Sequence, residues 1–366
     1  MRLLTASLGS KVITTVFGES HGKGIGVVID GLPPGEVIDM DELMEFLNRR
    51  APGKSEYTTK RREEDRPEFL SGIINNTIVG SPVSAIIRNN DARSVDYNNL
   101  RDVPRPSHAD FVSHIKYGGH MDMRGSGPFS GRITAPLCIA GGIALQILKR
   151  RGVTIAAHLS NVGGIEDESW DTVSPKKEDL ESVSVKDFPV ISETAGDKMK
   201  ELILKTREEG DSIGGEITCM ALGLPVGLGE PNYSSFESMM ARGIFSVPGI
   251  RGISFGTGFG ATTMKGSMHN DEYEIVDGNV RTKTNHCGGV VGGITNGMPV
   301  IFKVGMKPAS SISKPQNSFS ITEGVETELV VEGRHDPCIA IRAVPVIEAV
   351  CALVILDLWE VNNGLR

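Results

Sequence analysis

From Ala343 to Leu356 the chain reads AVPVIEAVCALVIL, fourteen residues in which Glu348 is the one charged member. A helix that is apolar on every side has to be covered by protein all round. Fourteen residues fall short of the roughly 20 that span a bilayer, so this is a core or interface helix, and the rest of the chain must wall it in. The helical pattern is predicted over Ala343 to Val361. A second apolar helix is predicted over Ala135 to Arg151, closed by Gly152, with shorter ones over Met40 to Arg50 behind Asp39 and over Asp197 to Glu209 before Gly210.

The walls are predicted to be sheet. Val27 to Ile29, Ile73 to Val79, Val83 to Ile87, Ile217 to Ala221 and Val300 to Val304 are short β-rich runs bounded by Gly, Pro or Asn. Strands interspersed with helices indicate a mixed α/β chain of the α+β kind. A faint internal echo bears on its layout. IDGLPPGE (29–36) is similar to ALGLPVGLGE (221–230), TIVGSPVSAII (77–87) is similar to GITNGMPVIFK (293–303), and a long apolar helix follows in each half. A duplicated unit leaves such a trace, and so does the common use of G-x-P-V to turn into a strand. With 366 residues and no flexible linker, the chain reads as a single domain over 1–366.

The formal charge of −8 disfavours a general nucleic-acid binder, which needs a basic face. An anion recognised here has to meet a local cluster of cations. The first residues lack the apolar core of a signal peptide and no run is long enough for a membrane span, so a cytoplasmic protein is expected. The five cysteines are widely spaced and form no C-x-x-C pair, which suggests reduced thiols and neither a disulfide framework nor a zinc site. Forty-four glycines, about 12% against a usual share near 7%, exceed what turns require.

Five clusters carry residues suited to chemistry. Phe17-Gly18-Glu19-Ser20-His21-Gly22 sets a histidine between glycines. Such a histidine can pass a proton at neutral pH, or simply occupy a turn. Arg105-Pro106-Ser107-His108-Ala109-Asp110 places a second histidine near an arginine fork fit for carboxylate or phosphate. His108, His114 and His120 recur every six residues, a spacing that does not share one helical face, and no metal site is expected. Met123 to Ala135, rich in Gly and Ser, runs into an apolar helix. That is an anion cradle or a plain loop, without the Lys-[Ser/Thr] ending of a nucleotide P-loop. Lys307-Pro308-Ala309-Ser310-Ser311 combines with Gly333-Arg334-His335-Asp336 and Arg342 to give cations, hydroxyls and a carboxylate, although an Arg-x-Asp triplet is often only a surface ion pair. Residues 48–62 hold six basic side chains, a solvated run or a loop over an anionic ligand.

In content and order these clusters resemble the chorismate synthase family: FGESHG, RRAPGKSEYTTKRRE, RPSHAD followed by KYGG, RGSG before a helix, MKPASSI and GRHDPCIAIRAVPVIEA. The resemblance covers about residues 10 to 359. It implies a β-α-β sandwich, a homotetramer, and a lyase of aromatic amino acid biosynthesis that makes chorismate by 1,4-elimination of phosphate from 5-enolpyruvylshikimate-3-phosphate. It further implies reduced FMN as cofactor, with the reductant supplied from outside the chain and ultimately NADPH.

By motif position, His21 would protonate the departing phosphate, His108 would keep the reduced flavin correctly protonated, and Asp336 would help take the ring proton. Arg50, Arg105, Arg132 and Arg342 would hold the substrate. Pro128, Phe129, Ser130, Gly292, Lys307, Pro308, Ala309, Ser310, Ser311 and Arg334 would contact FMN. Three departures stand out. The family's G-R-S-S-A-R-E-T-A appears as Gly127-Pro128-Phe129-Ser130-Gly131-Arg132-Ile133-Thr134-Ala135, an expected arginine is Glu56, and an expected Asn-Ala pair is Pro248-Gly249. Backbone contacts are all that positions 128, 129, 248 and 249 are expected to offer.

Overall fold

The computed structural model describes residues 6–53, 57–58, 65–89, 102–331 and 335–363. The first half of the chain begins with strands β1 (Ser7–Leu8), β2 (Ile13–Gly18) and β3 (Gly24–Asp30), then helix α1 (Met40–Arg50). Strand β4 (Glu68–Ser71), the tight hairpin of β5 (Ile73–Ile74) and β6 (Thr77–Ile78), and β7 (Val83–Arg88) follow. Helix α2 (Asp110–Lys116) and the long α3 (Thr134–Arg150) close this half.

The second half runs β8 (Thr154–Val162), β9 (Ile165–Glu166), α4 (Lys177–Ser184), α5 (Glu193–Glu208), β10 (Gly215–Leu222), α6 (Phe236–Ile244) and β11 (Ile250–Phe255). After the short α7 (Gly266–His269) come hairpins β12 (Tyr273–Val276) with β13 (Asn279–Thr282) and β14 (Val290–Val291) with β15 (Ile294–Thr295). Strand β16 (Val300–Met306), the pair β17 (Gln316–Phe319) and β18 (Glu326–Leu329), and α8 (Ala340–Asn363) complete the described chain.

Two five-stranded antiparallel sheets result, ordered β1-β2-β3-β7-β4 and β9-β8-β10-β16-β11. α3 packs on β2, β3 and β7, α8 packs on β8 and β10, and the two helices pack on each other with α1 and α6 flanking α8. The result is a β-α-β sandwich. The apolar run that demanded cover is thus the middle layer: Ala349 to Leu356 is buried throughout, and the helices approach so closely that a Cβ on Gly141 would lie 2.2 Å from the Cβ of Ala349. α3 with the turn before it (Gly131–Arg150) is long and apolar enough to cross a membrane by length and composition, yet its apolar faces are already covered by the sheets and α8. Cys138, Cys219, Cys338 and Cys351 are buried free thiols, and Cys287 is a half-buried one.

The sequence echo has a structural counterpart. In the first half Gly35 N–H donates to Ile78 O and Ile78 N–H to Glu36 O; in the second, Gly227 N–H donates to Thr295 O and Thr295 N–H to Leu228 O. The strands that carry the echo, β3 with β7 and β10 with β16, are antiparallel neighbours at the same place in their sheets.

Local chemistry accounts for the element ends. Asp39 caps α1, its Oδ1 accepting from the N–H groups of Asp41 and Glu42, while Arg49 and Arg50 occupy the last turn, where the helix dipole favours cations. α5 begins at Glu193, one turn before the predicted Asp197, and α8 begins at Ala340 rather than Ala343. The run Ile73 to Val79 is not the one strand that its composition suggests. Asn75 and Asn76 both take positive φ, 46° and 59°, and fold it into the β5–β6 hairpin.

Candidate functional site

The cations gather where the two halves meet. A cavity of about 280 Å³ is enclosed by the end of α1 (Arg50), the turn before α3 (Gly125 to Thr134), the α6–β11 connection (Val247 to Gly249), the end of β16 and the segment after it (Met306 to Ser311), and the start of α8 (Ile339 to Val346). Its wall also includes Arg105, His108, His335 and Asp336. A phosphate or carboxylate entering this chain of net charge −8 therefore finds the local positive potential that the overall charge denies it elsewhere.

His108 is held from behind. Its Nδ1 lies 2.6 Å from Asp110 Oδ1. The buried Arg105 donates from Nε to Asp110 Oδ2 at 2.8 Å and from Nη2 to Asp110 Oδ1 and Ser126 Oγ, both at 2.9 Å, while Nη1 reaches Ser311 Oγ at 2.9 Å. Most of the Arg105 fork is thus spent on protein. For Asp110, burial would raise the carboxyl's pKa, but the bonds from Arg105 and His108 outweigh it and hold the group well below the usual carboxylate range. His108 is pushed below its ordinary value by burial and by the charges of Arg105 and Lys307, against the pull of Asp110. The imidazole is therefore neutral at pH 7.

A second buried carboxylate organises the opposite wall. Asp65 accepts from Arg50 Nη2 at 2.6 Å and, through its other oxygen, from Arg132 Nη1. Arg50 Nη1 also reaches Thr134 Oγ1 at 3.2 Å, tying the end of α1 to the start of α3. Burial raises the pKa of Asp65, but Arg50 and Arg132 more than offset that and hold it below the usual range. Neither Asp65 nor Asp110 was marked by the sequence as a site residue. The one available signal is Asp110's place two residues after His108, whereas Asp65 lies inside a charged run, Lys60 to Arg66, that looks solvated.

Arg342 joins the two walls. Its Nη1 pairs with Asp336 Oδ2 at 2.6 Å and its Nε donates to Arg50 O at 3.0 Å. Lys307 Nζ donates to Ser107 O at 2.8 Å and contacts Ser310 Oγ at 2.5 Å, so the MKPASSI and RPSHAD segments are stitched together. Burial and the charges of Arg251 and Arg105 lower the pKa of Lys307.

Most of the residues singled out by sequence meet at this cavity: His108, Asp336, Phe129, Ser130, Lys307, Pro308, Ala309, Ser310, Ser311, Arg50, Arg105, Arg132 and Arg342 all line it. Pro248 and Gly249 line it as well, and Pro128 does not. His21 stands one layer back. It is 9% exposed, and a Cβ on Gly125, which lines the cavity at φ 56°, would fall 2.0 Å from His21 Nδ1. Gly292 is not brought to this site. It occupies the β14–β15 turn and is absent from the cavity wall. Arg334 and Glu56 lie outside the described residues.

Comparison with known proteins places these observations in context. A family model described as "Chorismate synthase" matches residues 12–359. The chain is 42% identical over 356 residues to a chorismate synthase of Dehalococcoides mccartyi, with 97% of this chain and 96% of that protein covered. It is 44% identical over 352 residues to one of Chitinophaga pinensis, at 96% and 95% coverage. The similarity extends to a crystal structure of chorismate synthase with a TM-score of 0.77 at 26% identity, covering 97% of this chain and 94% of that one.

Proposed function

The chain belongs to the chorismate synthase family, and on that premise we propose how its own residues carry out the family's reaction. The enzyme is a carbon–oxygen lyase that forms chorismate from 5-enolpyruvylshikimate-3-phosphate. One observation carries the assignment to this cavity: in an acidic chain, Arg50, Arg105, Arg132, Arg342 and Lys307 converge on one space with His108 and Asp336. A substrate bearing two carboxylates and a phosphate needs such a set.

The lining also fits a phosphorylated ring cofactor. Phe129, Pro248, Met306, Ile339 and Val346 offer apolar surface, Ser130, Ser310 and Ser311 offer hydroxyls, and a Cβ on Gly131 would meet nothing within 4 Å, so the backbone there opens onto the cavity. Ser130 and Lys307 to Ser311 would hold reduced FMN, with Phe129 against it and Arg334 completing the set. When bound, the flavin supplies the transferable electron that no side chain possesses.

The remaining work falls to protein groups. Arg132 and Arg342 orient the anionic substrate, and Arg50 and Arg105 fix the walls and add to the field. Neutral His108 keeps a nitrogen ready to hold or release a proton at the cofactor edge. Asp336, steadied by Arg342, stands where a ring proton can be received, and His21 behind Gly125 delivers the proton that accompanies the departing phosphate. We further propose one domain, since α8 contacts both halves, a cytoplasmic location, and a flavin kept reduced by an outside system drawing on NADPH. A homotetramer is supported by the exposed Tyr273, Ile275 and Val280 on the β12–β13 hairpin, an apolar patch of the kind that assembly covers.

The test is His21→Ala with reduced FMN. Turnover should fall by roughly 10² to 10⁴, as for loss of a general acid, with FMN affinity unchanged. Turnover within a few-fold of wild type would remove His21 from the mechanism.

A further inference from the structure

We propose that Asp110 is the positioning residue of the site: it fixes His108 as the tautomer protonated at Nδ1, so that the Nε2 lone pair is the atom presented to the cavity. The proposal rests on the reading of His108 as the proton-handling imidazole. Asp110 is buried and absent from the cavity wall, so it acts only through its neighbours.

The geometry decides the tautomer. Two groups contend for His108 Nδ1: Asp110 Oδ1 at 2.6 Å, which as a carboxylate only accepts, and Arg105 Nη2 at 3.2 Å, which only donates. The two N–H bonds of Nη2 are already directed at Asp110 Oδ1 and Ser126 Oγ, both at 2.9 Å. The shorter, charge-assisted contact prevails, and Nδ1–H donates to Asp110. The charged groups acting on His108 are Asp110, Arg105 and Lys307. The two cations disfavour a second proton, and the ring remains neutral with Nε2 bare.

Asp110→Asn inverts this arrangement. An amide has one acceptor oxygen, and at the Oδ2 position it satisfies both Arg105 N and Arg105 Nε, which lie 3.1 and 2.8 Å from that atom. The amide NH2 then takes the Oδ1 position and faces His108 Nδ1. Nδ1 becomes the acceptor, the ring proton moves to Nε2, and the cavity meets a donor where it had an acceptor. In Ser-His-Asp triads the corresponding wrong-tautomer substitution costs roughly 10⁴ in kcat.

The experiment is 15N NMR of ring-labelled full-length enzyme at pH 7, with the His108 signals assigned by their loss in His108→Gln. Wild type should show a protonated, pyrrole-type Nδ1 and a bare, pyridine-type Nε2, and Asp110→Asn should show the reverse. A wild-type Nε2–H tautomer overturns the proposal without need of any folded variant. Turnover supplies the second arm. Asp110→Asn should lower kcat at least about 100-fold with KM within a few-fold, and should add little further loss in a His108→Gln background. Equal losses in both backgrounds mean that Asp110 only supports the fold, which refutes its positioning role. Normal turnover by His108→Gln alone would instead sink the reading of His108, while leaving the tautomer result intact.

Discussion

Asp65→Asn isolates what the buried Arg50–Asp65–Arg132 cluster contributes. The Asp65 side chain is 1% exposed and those of Arg50 and Arg132 are 2% and 8% exposed, so solvent cannot take its place. Breaking a buried ion pair costs about 3–5 kcal/mol because a charge is left uncompensated. Here two guanidiniums lose their shared anion while one acceptor oxygen remains, which points to the lower end, about 3 kcal/mol. With an unfolding entropy of about 2.1 cal/mol/K per residue, the 366-residue chain should melt about 4 °C lower.

Calorimetry and urea titration at pH 7 measure the loss. The matched control is Glu42→Gln, which removes the exposed Lys149–Glu42 pair and should cost under about 1 kcal/mol. The pH dependence has a definite sign. The carboxyl's pKa is depressed by folding, so its stabilisation is complete above the unfolded value near 4, fades as pH falls from there, and is gone below the lower folded value. The variant should lack that portion of the acid-side loss. If Asp65→Asn costs no more than the surface control, the cluster is not the buried electrostatic joint described above.

Two further substitutions probe close approaches. Gly141→Ala would set a Cβ 2.4 Å from the Cα of Ala349, so the central helices must separate, and a loss of roughly 1–3 kcal/mol in urea titration is expected. A gain of about 1 kcal/mol, which helix propensity alone would give, contradicts that packing. Gly125→Ala would meet His21 Nδ1 at 2.0 Å and Ser20 Oγ at 2.7 Å from a left-handed backbone, so His21 must turn away; kcat should fall as it does in His21→Ala, and unchanged kcat would refute the contact.

The sequence displayed most of the local structure because its causes are local. Asp39 and the charge order of α1 mark that helix, and the apolar run around Ala349 demands the middle layer that it occupies. The hairpin at Asn75-Asn76 is not legible, because β-branched content does not reveal a two-residue turn. Pairings across long separations were not legible at all. Arg49 grips Glu348 through two bonds of 2.6 and 2.8 Å across 299 residues, and Asp65 reaches Arg132 across 67. Nothing near either acid in sequence announces such a partner. The site's cations were visible as types, but whether a given arginine faces ligand or protein depends on which carboxylate the fold places beside it.

If this cavity converts 5-enolpyruvylshikimate-3-phosphate to chorismate with reduced FMN, both products must come from the same turnover. Phosphate and chorismate are followed together when the purified chain, chemically reduced FMN and that substrate are mixed under strict exclusion of oxygen. Equimolar release of both products is expected, and none when FMN is omitted. No phosphate and no chorismate from folded, FMN-saturated enzyme, or equal turnover without FMN, would contradict it.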